Sequence, residues 1–270
     1  MEKEWEIISE TQQLPKLSNP LLIEGLPGIG NVGKIAADFL VESLNATKLY
    51  TFFSYKFPHS VFVGVNNLVE MPKIEIYYKK FNDPKKRDLL LLVGDIQPID
   101  EESCWHFCDE ILTIAKNFHC EEIITTGGIG LQQVPEKPKV YCTGNDPKLF
   151  KEYSQKGMLV EKDIFGIVGP IVGVSGVLLG LGKKRKISGV SLLAETFGHP
   201  MYLGVKGAQE VLNVIERKFH FGLDLKKMNK NIIEVEKDLI KKTQEWAAEM
   251  SGGTGAAGAK PKKKESSYIG

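Results

Sequence analysis

The chain has 270 residues, of which 42% are hydrophobic and 26% charged, and its net charge is +1. This suits a soluble protein with a sizeable core and excludes a strongly basic nucleic-acid footprint. Arginine occurs only at Arg87, Arg185 and Arg217, which argues against bidentate readout of phosphates or bases.

In chain order, Met1–Glu6 is too charged for a signal peptide. Leu21–Glu24 reads as a strand and Val32–Leu44 as a helix. Tyr50–Tyr55 and Val61–Val65 read as strands separated at Pro58. Residues 73–77, Lys-Ile-Glu-Ile-Tyr, alternate with period two, as a half-buried strand does. Residues 88–94, Asp-Leu-Leu-Leu-Leu-Val-Gly, form a continuous apolar run, typical of a strand buried on both faces of a parallel sheet. Asp100 predicts an N-cap for a helix through Phe118, with Glu101 and Glu102 in its first turn. Strands follow at Glu122–Thr126, Val140–Thr143 and Ser188–Leu193, and helices at Pro147–Gln155, Gly173–Leu181 and Gly207–Phe219. The alternation predicts an α/β fold, a mostly parallel sheet flanked by helices. Residues 1–225 form its core domain.

The composition then changes. Residues 226–250 place Ile232, Val235, Leu239 and Trp246 near one face of a helix suited to pairing with the domain or with a second subunit. Residues 251–270 are rich in glycine, alanine and lysine and read as a disordered tether. Tyr268, Ile269 and Gly270 restore an aromatic and a branched aliphatic side chain at its end, a candidate docking peptide.

Residues 24–34, Glu-Gly-Leu-Pro-Gly-Ile-Gly-Asn-Val-Gly-Lys, match two nucleotide motifs in part. Gly28, Gly30 and Gly33 have the dinucleotide spacing, but no acid stands near residues 49–55 to hold a ribose. The P-loop match fails at Ile35, where Ser or Thr would bind Mg²⁺. The three glycines are therefore expected to be structural, letting a helix pack closely on a strand, and no cofactor is expected.

Cys104, His106, Cys108, His119, Cys120 and Cys142 match no standard zinc spacing, so no metal is expected. No apolar run reaches the roughly 18 residues of a membrane span. The best candidate, Ile164–Leu181, is broken by glycines and a proline. A cytoplasmic protein is the reading. No histidine lies in a zinc or nucleophile-elbow motif. Three loops beside strand ends carry polar groups: Asp95 with Gln97, Gly127–Gly130, and Glu195 with His199. Asp95, Glu195 and His199 would form an acid/base group there, or would only cap helices and shape turns. No catalytic residue is assigned.

Taken together, the segment Gly25–Lys34, the segment Leu92–Pro98, and the stretch from Gly127–Gly130 to Gly173–Gly180 with Leu193–Thr196 resemble the proteasome assembly chaperone family in its archaeal branch. The resemblance spans roughly Leu21 to Phe219. It implies a nucleoside-phosphorylase-like fold without the catalysis, and a homo-oligomer that acts on other proteins. Members often end in a hydrophobic–Tyr–X tripeptide that enters pockets between proteasome α-subunits. Here Tyr268 stands third from last, after Ser267. The tail would bind in a shifted register, or serve a different partner.

The leading expectation is a non-enzymatic, oligomeric assembly factor that binds proteasome subunits partly through its tail, with neither nucleic acid nor membrane as partner. The alternatives are a phosphorylase-like enzyme or small-ligand-binding protein using the strand-end crevice, and a scaffold for an unrelated protein.

Overall fold

The computed structural model describes residues 4–64, 67–161, 163–164, 169–225 and 228. The proposed 226–250 helix, apart from Met228, and the 251–270 tail lie outside these residues.

Among the described residues, ten strands and five α-helices follow in the order β1 (Glu6–Ser9), β2 (Leu21–Gly25), α1 (Val32–Ser43), β3 (Thr47–Phe53), β4 (Phe62–Val63), β5 (Val69–Glu70), β6 (Ile74–Lys79), β7 (Leu89–Gly94), α2 (Glu101–Asn117), β8 (Glu122–Leu131), β9 (Val140–Gly144), α3 (Pro147–Tyr153), α4 (Val174–Lys184), β10 (Ser188–Phe197) and α5 (Val205–Phe219). Eight strands form one sheet in the order β1-β3-β6-β7-β2-β8-β10-β9; β4 and β5 form a separate two-stranded ribbon.

The parallel reading holds for the centre, where β7, β2, β8 and β10 run in one direction. Helices connect these strands over the sheet faces, as parallel pairing requires. The flanks are antiparallel: β1 on β3, β3 on β6, β6 on β7, and β9 on β10. From β3 to β6 the chain returns through the inserted ribbon and from β6 to β7 through a short loop, connections suited to antiparallel neighbours. The sheet therefore has the expected parallel centre, flanked by helices, with antiparallel strands added at both edges.

Two apolar layers cover it. Leu21, Ile23, Leu89, Leu91, Val190 and Leu192 pack with residues of α1, α3 and α5. Leu22, Leu90, Leu92 and Ile123 point to the other face, against α2 and α4. Successive strand residues thus feed opposite layers, the reason β2 and β7 need unbroken apolar runs. Asp100 caps α2 by accepting a hydrogen bond from Ser103 N at 3.0 Å.

Three expectations change. The Gly127–Gly130 segment is not a loop but the second half of β8, which pairs with β10 from Glu122 to Leu131. Long-range pairing overrides the breaker signal of the glycines. The strand expected at Val61–Val65 is the short β4, paired with a β5 that no periodicity announced. An N-terminal edge strand, β1, was also not expected. The helix expected at Gly173–Leu181 is present as α4, and among the described residues no helix is long and apolar enough to cross a membrane.

Candidate functional site

In an open α/β sheet the ligand crevice lies beyond the carboxyl ends of the parallel strands. Here that end is built around Glu24, the last polar residue of the otherwise apolar β2. Its side chain is completely buried. Oε1 accepts from Leu26 N at 2.9 Å, and Oε2 accepts from the Ser175 hydroxyl at 2.8 Å. Desolvation pushes its carboxyl up to about 7, against the opposing pull of those hydrogen bonds. Glu24, Thr125 and Ser191 stand side by side in register on β2, β8 and β10. The hydroxyls of Thr125 and Ser191 have no hydrogen-bond partner among the described residues.

A cavity of about 440 Å³ opens above Glu24. Gln97, Ser175 and the backbone of Gly127–Gly130 line it, with the exposed Ile29 and Val172 at its rim. Gln97 ties the two sides together. Its amide donates to Pro27 O at 2.8 Å and its carbonyl accepts from Val174 N, the first residue of α4, at 3.2 Å.

The glycine loop takes its shape from close approach. Gly30 has φ +61, in the left-handed region, and its carbonyl accepts from Gly204 N at 2.7 Å. Gly33 lies in the first turn of α1, where a Cβ would stand 2.4 Å from Thr126 O. Gly28 is different: its φ is −159, an extended value open to any residue, and nothing lies within 4 Å of a Cβ placed there. Gly33→Ala should therefore lower stability by about 1–3 kcal/mol through overpacking, while Gly28→Ala changes it by only a few tenths of that. Urea denaturation of the two variants side by side checks the contrast, and equal losses would refute it.

Lys34, the lysine of the incomplete P-loop, does not face an anion site. Its ammonium lies 3.0 Å from Asp38 Oδ2, 3.0 Å from Gly94 O and 3.3 Å from Asp95 Oδ1. The dinucleotide reading loses its second strand as well. α1 leads to β3, which the sheet order separates from β2 by β7 and β6.

Asp95, Glu195 and His199 are not brought together. Asp95 follows β7 and Glu195 sits on β10, with β2 and β8 between them, a gap of roughly 14 Å at the usual strand spacing. Asp95 pairs with Lys34. Glu195 accepts from Lys139 N at 3.0 Å and from the Tyr141 hydroxyl at 3.2 Å. His199 Nδ1 accepts from Met201 N at 3.3 Å, and its ring stacks on Phe197. These are loop-shaping contacts.

All four cysteines are buried and unbridged. Burial raises the thiols of Cys108, Cys120 and Cys142 above their ordinary value. Among the described residues no group of three or more His, Cys, Asp or Glu is placed to hold a metal ion. Tyr268, Ile269 and Gly270 lie outside the described residues. Sequence reasoning assigned Glu24 and Ser175 no role. The available signal was a lone carboxylate ending the apolar run Leu21–Ile23, since an isolated charge in a buried strand demands partners.

The PAC2 family profile matches residues 22–253. A protein of Methanocaldococcus jannaschii is 30% identical over 265 residues, spanning 98% of this chain and 97% of that protein. Among solved structures, Pyrococcus furiosus PbaB, an archaeal proteasome activator, superposes with a TM-score of 0.80 at 34% identity, covering 89% of this chain and 99% of that one. Pyrococcus furiosus PbaA, an archaeal homolog of proteasome-assembly chaperone, shares the fold, with a TM-score of 0.71 at 23% identity over 93% of this chain and 96% of that one.

Proposed function

Because this chain belongs to the PAC2 family, we propose that it is a non-enzymatic, oligomeric, cytoplasmic factor that binds proteasome α-subunits and promotes their assembly or activity. The observation that carries this reading is its similarity, along nearly the whole chain, to an archaeal proteasome activator. The dispersal of Asp95, Glu195 and His199 and the engagement of Lys34 by carboxylates agree with a role without catalysis. In this reading the α/β core is the rigid body, residues 226–250 extend it, and Tyr268, Ile269 and Gly270 dock in the partner ring. Peptide hydrolysis by a purified archaeal proteasome, measured with and without the full chain, tests it. Saturable binding with a change in peptidase rate or in assembled ring is expected. No binding at tens of micromolar, well above ordinary specific affinities, would overturn it.

A second reading, a small-ligand site in the strand-end crevice, is favoured by the buried Glu24 beneath the 440 Å³ cavity. Calorimetry with inorganic phosphate and with a nucleoside decides it. Heat that saturates in the wild type and vanishes in Gln97→Ala supports this site; no saturable heat rejects it.

A further inference from the structure

We infer that the strand-end cavity binds a small organic cation, an apolar body carrying an ammonium or guanidinium group, with the Glu24 carboxylate as its counter-charge. This shares with the second reading only the premise of a ligand site in the crevice. It assigns a cation where that reading tests phosphate and a nucleoside, so the two fail separately.

Glu24 is an acid without a cation. Three donors reach its carboxyl: Leu26 N at 2.9 Å, the Ser175 hydroxyl at 2.8 Å and, more weakly, Thr126 N. All three are neutral. The elements packed around Glu24 add no positive charge. From α2 the thiols of Cys104 and Cys108 lie within its electrostatic reach. From α4 comes Ser175, and Thr125 stands beside it on β8. Lys34 belongs to α1, which packs on the other face of the sheet, and is held by Asp38, Gly94 O and Asp95. A buried carboxylate with only neutral partners is costly once ionised. Glutamine would engage Leu26 N and Ser175 without that cost. An acid kept at the expense of stability points to use of its charge.

The cavity narrows the missing partner. Its volume of about 440 Å³ lies within the usual range of a small-molecule site. Among the described residues of its lining, Glu24 alone is charged, while Leu26, Ile29, Ile171, Val172 and Leu193 give apolar walls. A hard metal cation would need several oxygen ligands, and among the described residues no group of three or more His, Cys, Asp or Glu is placed to hold one. An anion would meet the carboxylate, and the first amide of α4, Val174 N, is already engaged by the Gln97 carbonyl. A cationic head on an apolar body satisfies both sets of groups. The head takes the acceptor site that three donors leave open on a carboxylate with about four. The body covers the apolar walls, and exclusion of water strengthens the ion pair.

The test is calorimetry of the full chain with three probes of one shape and different charge, 2-phenylethylamine, 2-phenylethanol and 3-phenylpropionate, at millimolar concentration. At pH 8 the amine should give saturable heat and bind at least tenfold more tightly than the alcohol, and the carboxylate should give none. Glu24→Gln should remove the advantage of the amine over the alcohol in a chain that folds at least as stably as the wild type. A second readout is protonic. With the folded carboxyl held at about 7, roughly one site in ten is ionised at pH 6. The amine should therefore bind about tenfold more weakly at pH 6 than at pH 8, and at pH 6 it should release a proton, seen as heat that varies with the ionisation enthalpy of the buffer. Equal affinity for amine and alcohol, or an amine affinity unchanged in Glu24→Gln, overturns the inference and leaves the crevice a ligand site. Saturable binding of phosphate or the nucleoside without binding of the amine also overturns it, in favour of the second reading. No saturable heat from any of these probes overturns both.

Discussion

Glu24→Gln should flatten the pH dependence of stability between pH 4.5 and about 7. The folded carboxyl is held at about 7, against 4.5 for the free side chain, mainly by desolvation. In that window the folded chain keeps a proton that the unfolded chain has released. The raised value therefore contributes stability that is fully present below pH 4.5 and is lost as pH rises to about 7. Above that both states are ionised and the cost of the buried charge stays constant. A difference of this size corresponds to on the order of 3 kcal/mol. Glutamine keeps an acceptor for Leu26 N and a partner for the Ser175 hydroxyl, and carries no charge at any of these pH values. The variant should match the wild type near pH 4.5 and exceed it by that order above pH 7. Urea unfolding of both proteins from pH 4.5 to 8 reads the difference directly. Parallel curves would show that Glu24 ionises without penalty, and that solvent reaches it.

Deleting Tyr268–Gly270 should weaken binding to an archaeal proteasome ring by tenfold or more while leaving fold and oligomer intact. The tripeptide offers an aromatic ring at low entropy cost, an aliphatic neighbour and a carboxylate that a lysine or a backbone nest can hold. Its tether, residues 251–267, would span roughly 50 Å if extended and about half that as a random coil. Several tails on one oligomer raise each other's effective concentration, so a modest loss per tail multiplies in the assembly. The lysines at 260 and 262–264 would steer the tail toward an acidic surface. The measurement is affinity for the intact ring at fixed salt, with full-length and truncated oligomers of equal mass. An unchanged affinity would move recognition onto the folded core, where the shifted register of Tyr268 against the family's usual ending would no longer matter.

The sequence by itself determined whatever depends on neighbours a few residues away. The apolar runs at 21–24 and 88–94 could only be buried strands, Asp100 announced the start of α2, and Ile35 ruled out a P-loop magnesium site. The joint glycine motifs sufficed to find the family. The tertiary structure decided what depends on groups far apart in the chain. Lys34, on α1, is quenched partly by Asp95, just past the end of β7. Gly128 is a strand residue because β8 pairs with β10, and it is a glycine because a Cβ there would stand 2.2 Å from Ile29 O, so the glycine run that reads as a loop is the surface that seats the loop after β2. Asp95, just past β7, and Glu195, within β10 rather than in a loop after it, are kept apart by the strand order, which no local pattern encodes. Glu24 becomes a buried acid because α4, about 150 residues later, brings Ser175 over it and closes it off from water. Periodicity and capping are short-range and are written in the residues themselves. Desolvation and strand neighbourhood arise only when distant segments meet.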